Sequence, residues 1–193
     1  MLSLRLALGT FLALLIIIPA AQAQQCKQLD SGTPDDWLSY LAQTQAEQNT
    51  ECVCFALRGL ENMHWDPAAN TLVKFLDFRC VDSREPISPL RNPYPAINGL
   101  TGLRQRALPE ALAVMGSRSA SELARHNAVS VWQLVFRDDE PKAVAMLAME
   151  VDKAPTESAK QLLKEAVAYA VRYWAPENQS KCAANEPRKE AAQ

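Results

Sequence analysis

Residues 54–76 recur 40 positions later, and the second copy recurs in part 32 positions after that. Ala56, Leu57, Gly59, Leu60 and Met63 align with Ala96, Ile97, Gly99, Leu100 and Leu103, and Leu72 aligns with Leu112. The second displacement carries Ala96, Ile97, Leu100 and Leu103 onto Ala128, Val129, Trp132 and Val135. It also carries Pro109, Ala111 and Leu112 onto Pro141, Ala143 and Val144. An alanine, the apolar residue after it and the apolar positions three and six beyond that residue recur in all three units, and a turn proline recurs in the last two. Self-similarity at such spacings marks an array of small units, each burying its apolar face against the next.

Local signals make each unit helical. Pro34, Pro67, Pro95, Pro109, Pro141 and Pro155 stand just before stretches rich in Ala, Leu, Glu, Lys and Gln. Proline at the first helical position forfeits no hydrogen bond and presets φ. The apolar residues fall on helical stripes: Val53, Ala56, Leu57, Leu60 and Met63 in 52–64; Ala69, Leu72, Val73 and Leu76 in 67–78; Leu162, Leu163, Ala166, Val167, Ala170 and Tyr173 in 156–174. The β-branched and aromatic stretch 129–136 also admits a strand. The repeat alignment decides for helix there.

The units resemble HEAT repeats. The likeness rests on Ala56-Leu57-Arg58-Gly59-Leu60 with Pro67-Ala68-Ala69 and 72–77, and on 95–100 with Ala107-Leu108-Pro109-Glu110-Ala111-Leu112. A third unit is formed by Asn127-Ala128-Val129 with Pro141, Ala143 and Val144. It covers about residues 50–153. It implies an all-α fold, a short armadillo-like α-solenoid of about three helical hairpins with capping helices at 34–48 and 156–174. The repeat domain is expected over 34–175, preceded by an arm at 24–33 and followed by a polar tail at 176–193. The Pro-rich insertion 79–93 departs from the family pattern, because HEAT units usually connect more briefly.

Residues 1–23 read as a secretory signal peptide: Arg5, an apolar run from Leu6 to Ile18, and Ala21-Gln22-Ala23 as a cleavage site. Export to the periplasm or outside the cell is expected. Gln25 lacks the small size that lipoprotein processing at Cys26 requires, and no membrane attachment is expected after cleavage. Export gives meaning to Cys26, Cys52, Cys54, Cys80 and Cys182, which can pair in an oxidising compartment. If 52–64 and 67–78 form a hairpin, the start of the first helix lies beside the end of the second. Residues two apart on a helix differ by about 200°, so only one of Cys52 and Cys54 can face Cys80. The preferred pairing is Cys52–Cys80, with Cys26–Cys54 possible and Cys182 left over.

A net charge of −2 argues against a nucleic-acid partner. The C-x-C spacing and the distant His64 and His126 do not make a zinc site, and no metal is expected. Motifs for phosphate cradling or nucleophilic catalysis are missing from the sequence, so no catalytic residue or cofactor is assigned and the residues point away from an enzyme. Met63-His64-Trp65-Asp66 reads as a stripe end and a helix start. Asn178-Gln179-Ser180 is a glycosylation sequon.

An α-solenoid offers its second helices as a ridge for a peptide or protein. The outward flank is expected at Asn70, Lys74 and Asp77, then Glu110, Val114 and Ser117, then Lys142, Met146 and Met149, turning from polar to apolar along the array. The expected function is an exported protein-interaction module or scaffold. The alternatives are a tetrapyrrole lyase-like or small-ligand-binding HEAT protein, and an exported toxin inhibitor.

Overall fold

The computed structural model describes Cys26, Leu29 and residues 32–43, 49–63, 65–80 and 92–173. The leader, most of the arm, His64, most of the 79–93 insertion, Trp174 and the tail with its sequon and Cys182 lie outside the described residues. Every regular element among the described residues is helical, so the all-α expectation holds, including at 129–135. The chain divides into two compact units, Met1–Gly102 and Leu103–Gln193.

The first unit contains α1 (Pro34–Gln43), α2 (Thr50–Glu61), a composite turn of helix around α3 (Ala69–Leu72), and α4 (Pro95–Gly102). Thr33 and Asp36 start α1 reciprocally. The Thr33 N–H and hydroxyl donate to Asp36 Oδ2 at 2.7 and 2.8 Å, and the Asp36 N–H reaches Thr33 Oγ1 at 3.4 Å. This is a capping box with Asp in the acidic position. Asn49 caps α2 by accepting from the Cys52 N–H at 3.3 Å.

The α2 stripe is buried from Val53 to Leu60, but Met63, expected to end it, is 46% exposed. The helix stops at Glu61, so Met63 is no longer held on the buried side. The helix expected over 67–78 is shorter and broken. It consists of 3₁₀ turns at Asp66–Ala68 and Val73–Phe75 flanking the single α turn of α3. Asp66 is the first residue of the opening turn, after Trp65.

α2 packs chiefly on α4 and α1, and α3 on α4. Leu60 is 2% exposed and Leu100 0%, and the aligned glycines both sit at close approaches. A methyl on Gly59 would lie 2.7 Å from Cε3 of Trp37; one on Gly99 would lie 2.9 Å from Cδ1 of Leu72. The Trp37 ring is fixed by its indole N–H, which donates to the Leu29 carbonyl at 3.0 Å.

The second unit contains a 3₁₀ turn at Arg104–Ala107, then α5 (Leu108–Met115), α6 (Glu122–Val135), α7 (Glu140–Asp152) and α8 (Glu157–Tyr173). Ser121 caps α6 through the Ala124 N–H at 3.0 Å, Asp139 caps α7 through the Lys142 N–H at 3.2 Å, and Thr156 caps α8 through the Ala159 N–H at 3.1 Å. α8, expected as a terminal cap, is the helix on which α5, α6 and α7 all pack. Leu163, Ala166 and Ala170 carry its buried side. Trp132 lies in the core, as its stripe requires, and its indole N–H donates to the Ala143 carbonyl at 2.9 Å.

Candidate functional site

The four cysteines grouped around the start of α2 do form two disulfides, but the pairing is Cys26–Cys52 and Cys54–Cys80. This corrects the expected Cys52–Cys80 and Cys26–Cys54. The rotation argument stands, since only one residue of the C-x-C pair faces Cys80, but it selects the other one. Cys52 is fully buried and turns toward the N-terminal arm, with Cα atoms 5.1 Å apart across the bond to Cys26. Cys54 faces the opposite way, and its Cα lies 5.5 Å from that of Cys80. Cys182 lies outside the described residues.

The side of α2 that carries Cys54 continues at Arg58 and Glu61, spaced as neighbours on one helical face. Arg58 donates to Glu61 Oε2 at 3.0 Å and to the Asn92 carbonyl at 2.9 Å. Asn98 Nδ2 donates to Glu61 Oε1, and Asn92 Nδ2 donates to Asn98 Oδ1 at 3.2 Å. The Cys80 N–H donates to the Pro93 carbonyl at 2.8 Å. One helix face therefore grips residues 80 and 92–98 by a covalent bond and by hydrogen bonds from Arg58 and to Glu61, which are themselves ion-paired along α2. This half-buried network was missed in the sequence. The Arg58–Glu61 spacing was visible, but the partners lie 34 and 37 residues away.

The expected binding flank is only partly outward. Asn70, Lys74 and Asp77 are exposed, and belong to the first unit. Glu110, Val114 and Ser117 on and after α5 are half-buried, a correction to their expected exposure that follows from α5 packing on both α6 and α8. Glu110 Oε2 is buried with no hydrogen-bond partner among the described residues. On α7, Lys142 and Met149 are exposed and Met146 is half-buried. The principal neighbour of α7 is α8 and that of α5 is α6, so these two sets do not sit on helices packed chiefly against each other.

Two further polar features mark the second unit. His126 stacks on Tyr169 with ring centroids 4.2 Å apart, and its Nε2 lies 3.9 Å from Glu122 Oε1. Gln133, 3% exposed, donates to the Ala170 carbonyl at 3.3 Å while its Oε1 has no partner among the described residues. Ala170 is among the last carbonyls of α8, which a helix leaves without internal donors, so Gln133 serves as a cap from the side.

Among the described residues no group of three His, Cys, Asp or Glu side chains is placed to hold a metal, and no helix is long and apolar enough to cross a membrane. Two disulfides fit an oxidising, extracellular environment. Comparison with protein-family models, with curated proteins and with solved structures finds no match.

Proposed function

We propose that the protein is an exported, non-enzymatic interaction module of HEAT-like design that binds a protein or peptide through the outward face of α7. Export is supported by the leader-like residues 1–23 and by the two disulfides. The observation that carries the binding reading is Met149. It is 61% exposed, in the middle of an arc where Ala145 and Ala148 are also exposed and no charge intervenes between Lys142 and Glu150. Exposed apolar side chains grouped on one helix mark an interaction face more often than scattered ones do. The polar set Asn70, Lys74 and Asp77 is left as ordinary solvated surface.

A photo-crosslinking residue placed at position 149, and in a control at position 77, tests this in the exported fraction of the native cell. Adducts are expected at 149 and not at 77. Equal labelling at both positions, or none at 149, refutes the assignment of the face.

A further inference from the structure

Residues 143–149 read Ala-Val-Ala-Met-Leu-Ala-Met. Seven residues make about two turns of helix, so this run is apolar all the way round. A helix of that kind is normally buried on every side. α7 is not. Ala143 and Leu147 are fully buried in the unit, whose α8 is the chief neighbour of α7, whereas Ala145, Ala148 and Met149 face solvent.

The order of residues on the outer arc specifies what covers it. Lys142, Ala145, Met149 and Asp152 follow a 3-4-3 spacing, the a/d seam of a coiled coil, and all four are exposed. Turned end over end about the level of residue 147, this set matches itself. Lys142 comes opposite Asp152, Ala145 opposite Met149, and the same two layers repeat on the other side of the axis. The match is in charge and in size, because a methyl group meets a long thioether chain in each inner layer. Lys142 has no ion-pair partner among the described residues, and Asp152 has only Lys160 at 3.9 Å with its own side chain 85% exposed. Glu150 and Lys153, which flank the arc, are already paired with each other at 2.7 Å.

We infer that α7 docks antiparallel on α7 of a second copy of this chain across a two-fold axis. The inference rests on the reading of α7 as the contact helix and names the partner. An isologous contact of this kind closes on itself and gives a dimer. One helical face is smaller than the ~1,200 Å² of a stable interface, so the dimer is a weak one, with a dissociation constant on the order of 10⁻⁴ M.

Sedimentation of the disulfide-bonded chain, with free thiol blocked so that Cys182 cannot link copies, gives the test. The wild type is expected to pass from monomer to dimer as concentration rises through ~10⁻⁴ M. Lys142→Asp and Asp152→Lys each replace two attractions by two repulsions in the dimer and weaken association about tenfold. The double variant Lys142→Asp/Asp152→Lys restores it to within about threefold, and Met149→Lys abolishes it. All of these positions are exposed, and circular dichroism checks that the variants keep their helix content. A wild type that stays monomeric at ~10⁻³ M, or a double variant as weak as the single ones, overturns the inference. The photo-crosslink at 149 separates the two levels. An adduct of twice the chain mass supports the dimer. An adduct with a different protein from a monomeric chain overturns the dimer and leaves the interaction reading in place.

Discussion

The two disulfides make a sharp prediction because each closes a loop with a sequence separation of 26 and the loops, 26–52 and 54–80, share no residue. In the chain-entropy treatment, a loop of that length removes about 12 cal/mol/K from the unfolded chain, or ~3.5 kcal/mol at 25 °C. Separate loops make their contributions nearly independent. Cys54→Ala/Cys80→Ala is therefore expected to lower the stability of the first unit by about 3 kcal/mol. Cys26→Ala/Cys52→Ala should cost more, because Cys52 is fully buried and its truncation adds a small cavity. Urea unfolding followed at 222 nm reads both losses. The pairing is checked by the single variant Cys54→Ala. It should free the Cys80 thiol, which alkylation and peptide mass spectrometry then locate. Alkylation at Cys26 instead, or a loss below about 1 kcal/mol for the double variant, would refute the geometry.

Three other consequences can be measured directly. Leu60→Ala and Leu100→Ala, both deeply buried, should each cost roughly 2–5 kcal/mol; losses under about 0.5 kcal/mol for both would break the correspondence between the two repeat slots. Gly59→Ala should destabilise by about 1–2 kcal/mol although alanine favours helix, because its methyl meets three atoms of the Trp37 ring at 2.7–2.9 Å. The penalty should vanish in a Trp37→Ala background, and a penalty of unchanged size there would show that the clash lies elsewhere. The backbone and hydroxyl hydrogen bonds from Thr33 hold the Asp36 carboxyl below its ordinary value of 3.8. A lowered folded-state pKa stabilises above the unfolded pKa, and the gain is lost as pH falls through the folded one. The start of α1 should thus fray only in acid below the usual carboxylate range. A Thr33 amide shift titrating at or above the ordinary value would contradict this.

The residues that the fold buries were legible because burial on a helix follows a 3.6-residue period, and the stripes at 53–60 and 96–103 obey it. What the period does not encode is which neighbour covers which stripe. The rotation of the C-x-C pair lets only one of its cysteines face Cys80, yet choosing between Cys52 and Cys54 required knowing that Cys26 lies on the Cys52 side of α2 and residues 80 and 92–98 on the other. Helix breaks at 66–75 were hidden for a local reason. Asn70, Thr71 and Val73 are weak helix formers, and with only ten residues between Trp65 and Leu76 no long helix can compensate. The half-buried state of Glu110 was equally out of reach, since it depends on α8, some fifty residues later, closing over α5.

α7 shows the opposite case, where sequence holds more than a face-by-face reading extracts. Assigning Lys142, Met146 and Met149 to an outward flank treats the helix as amphipathic. The unbroken run from Ala143 to Ala148 and Met149 says that it is not. Burying Ala143, Leu147 and Val151 needs one apolar side only, and a solvated helix would place Lys or Glu on the other at little cost. The uncharged outer arc is therefore surplus to the stability of a single chain. Its bounding by a lysine at one end and an aspartate at the other, with alanine and methionine between, is the arrangement by which the same surface can serve as its own complement.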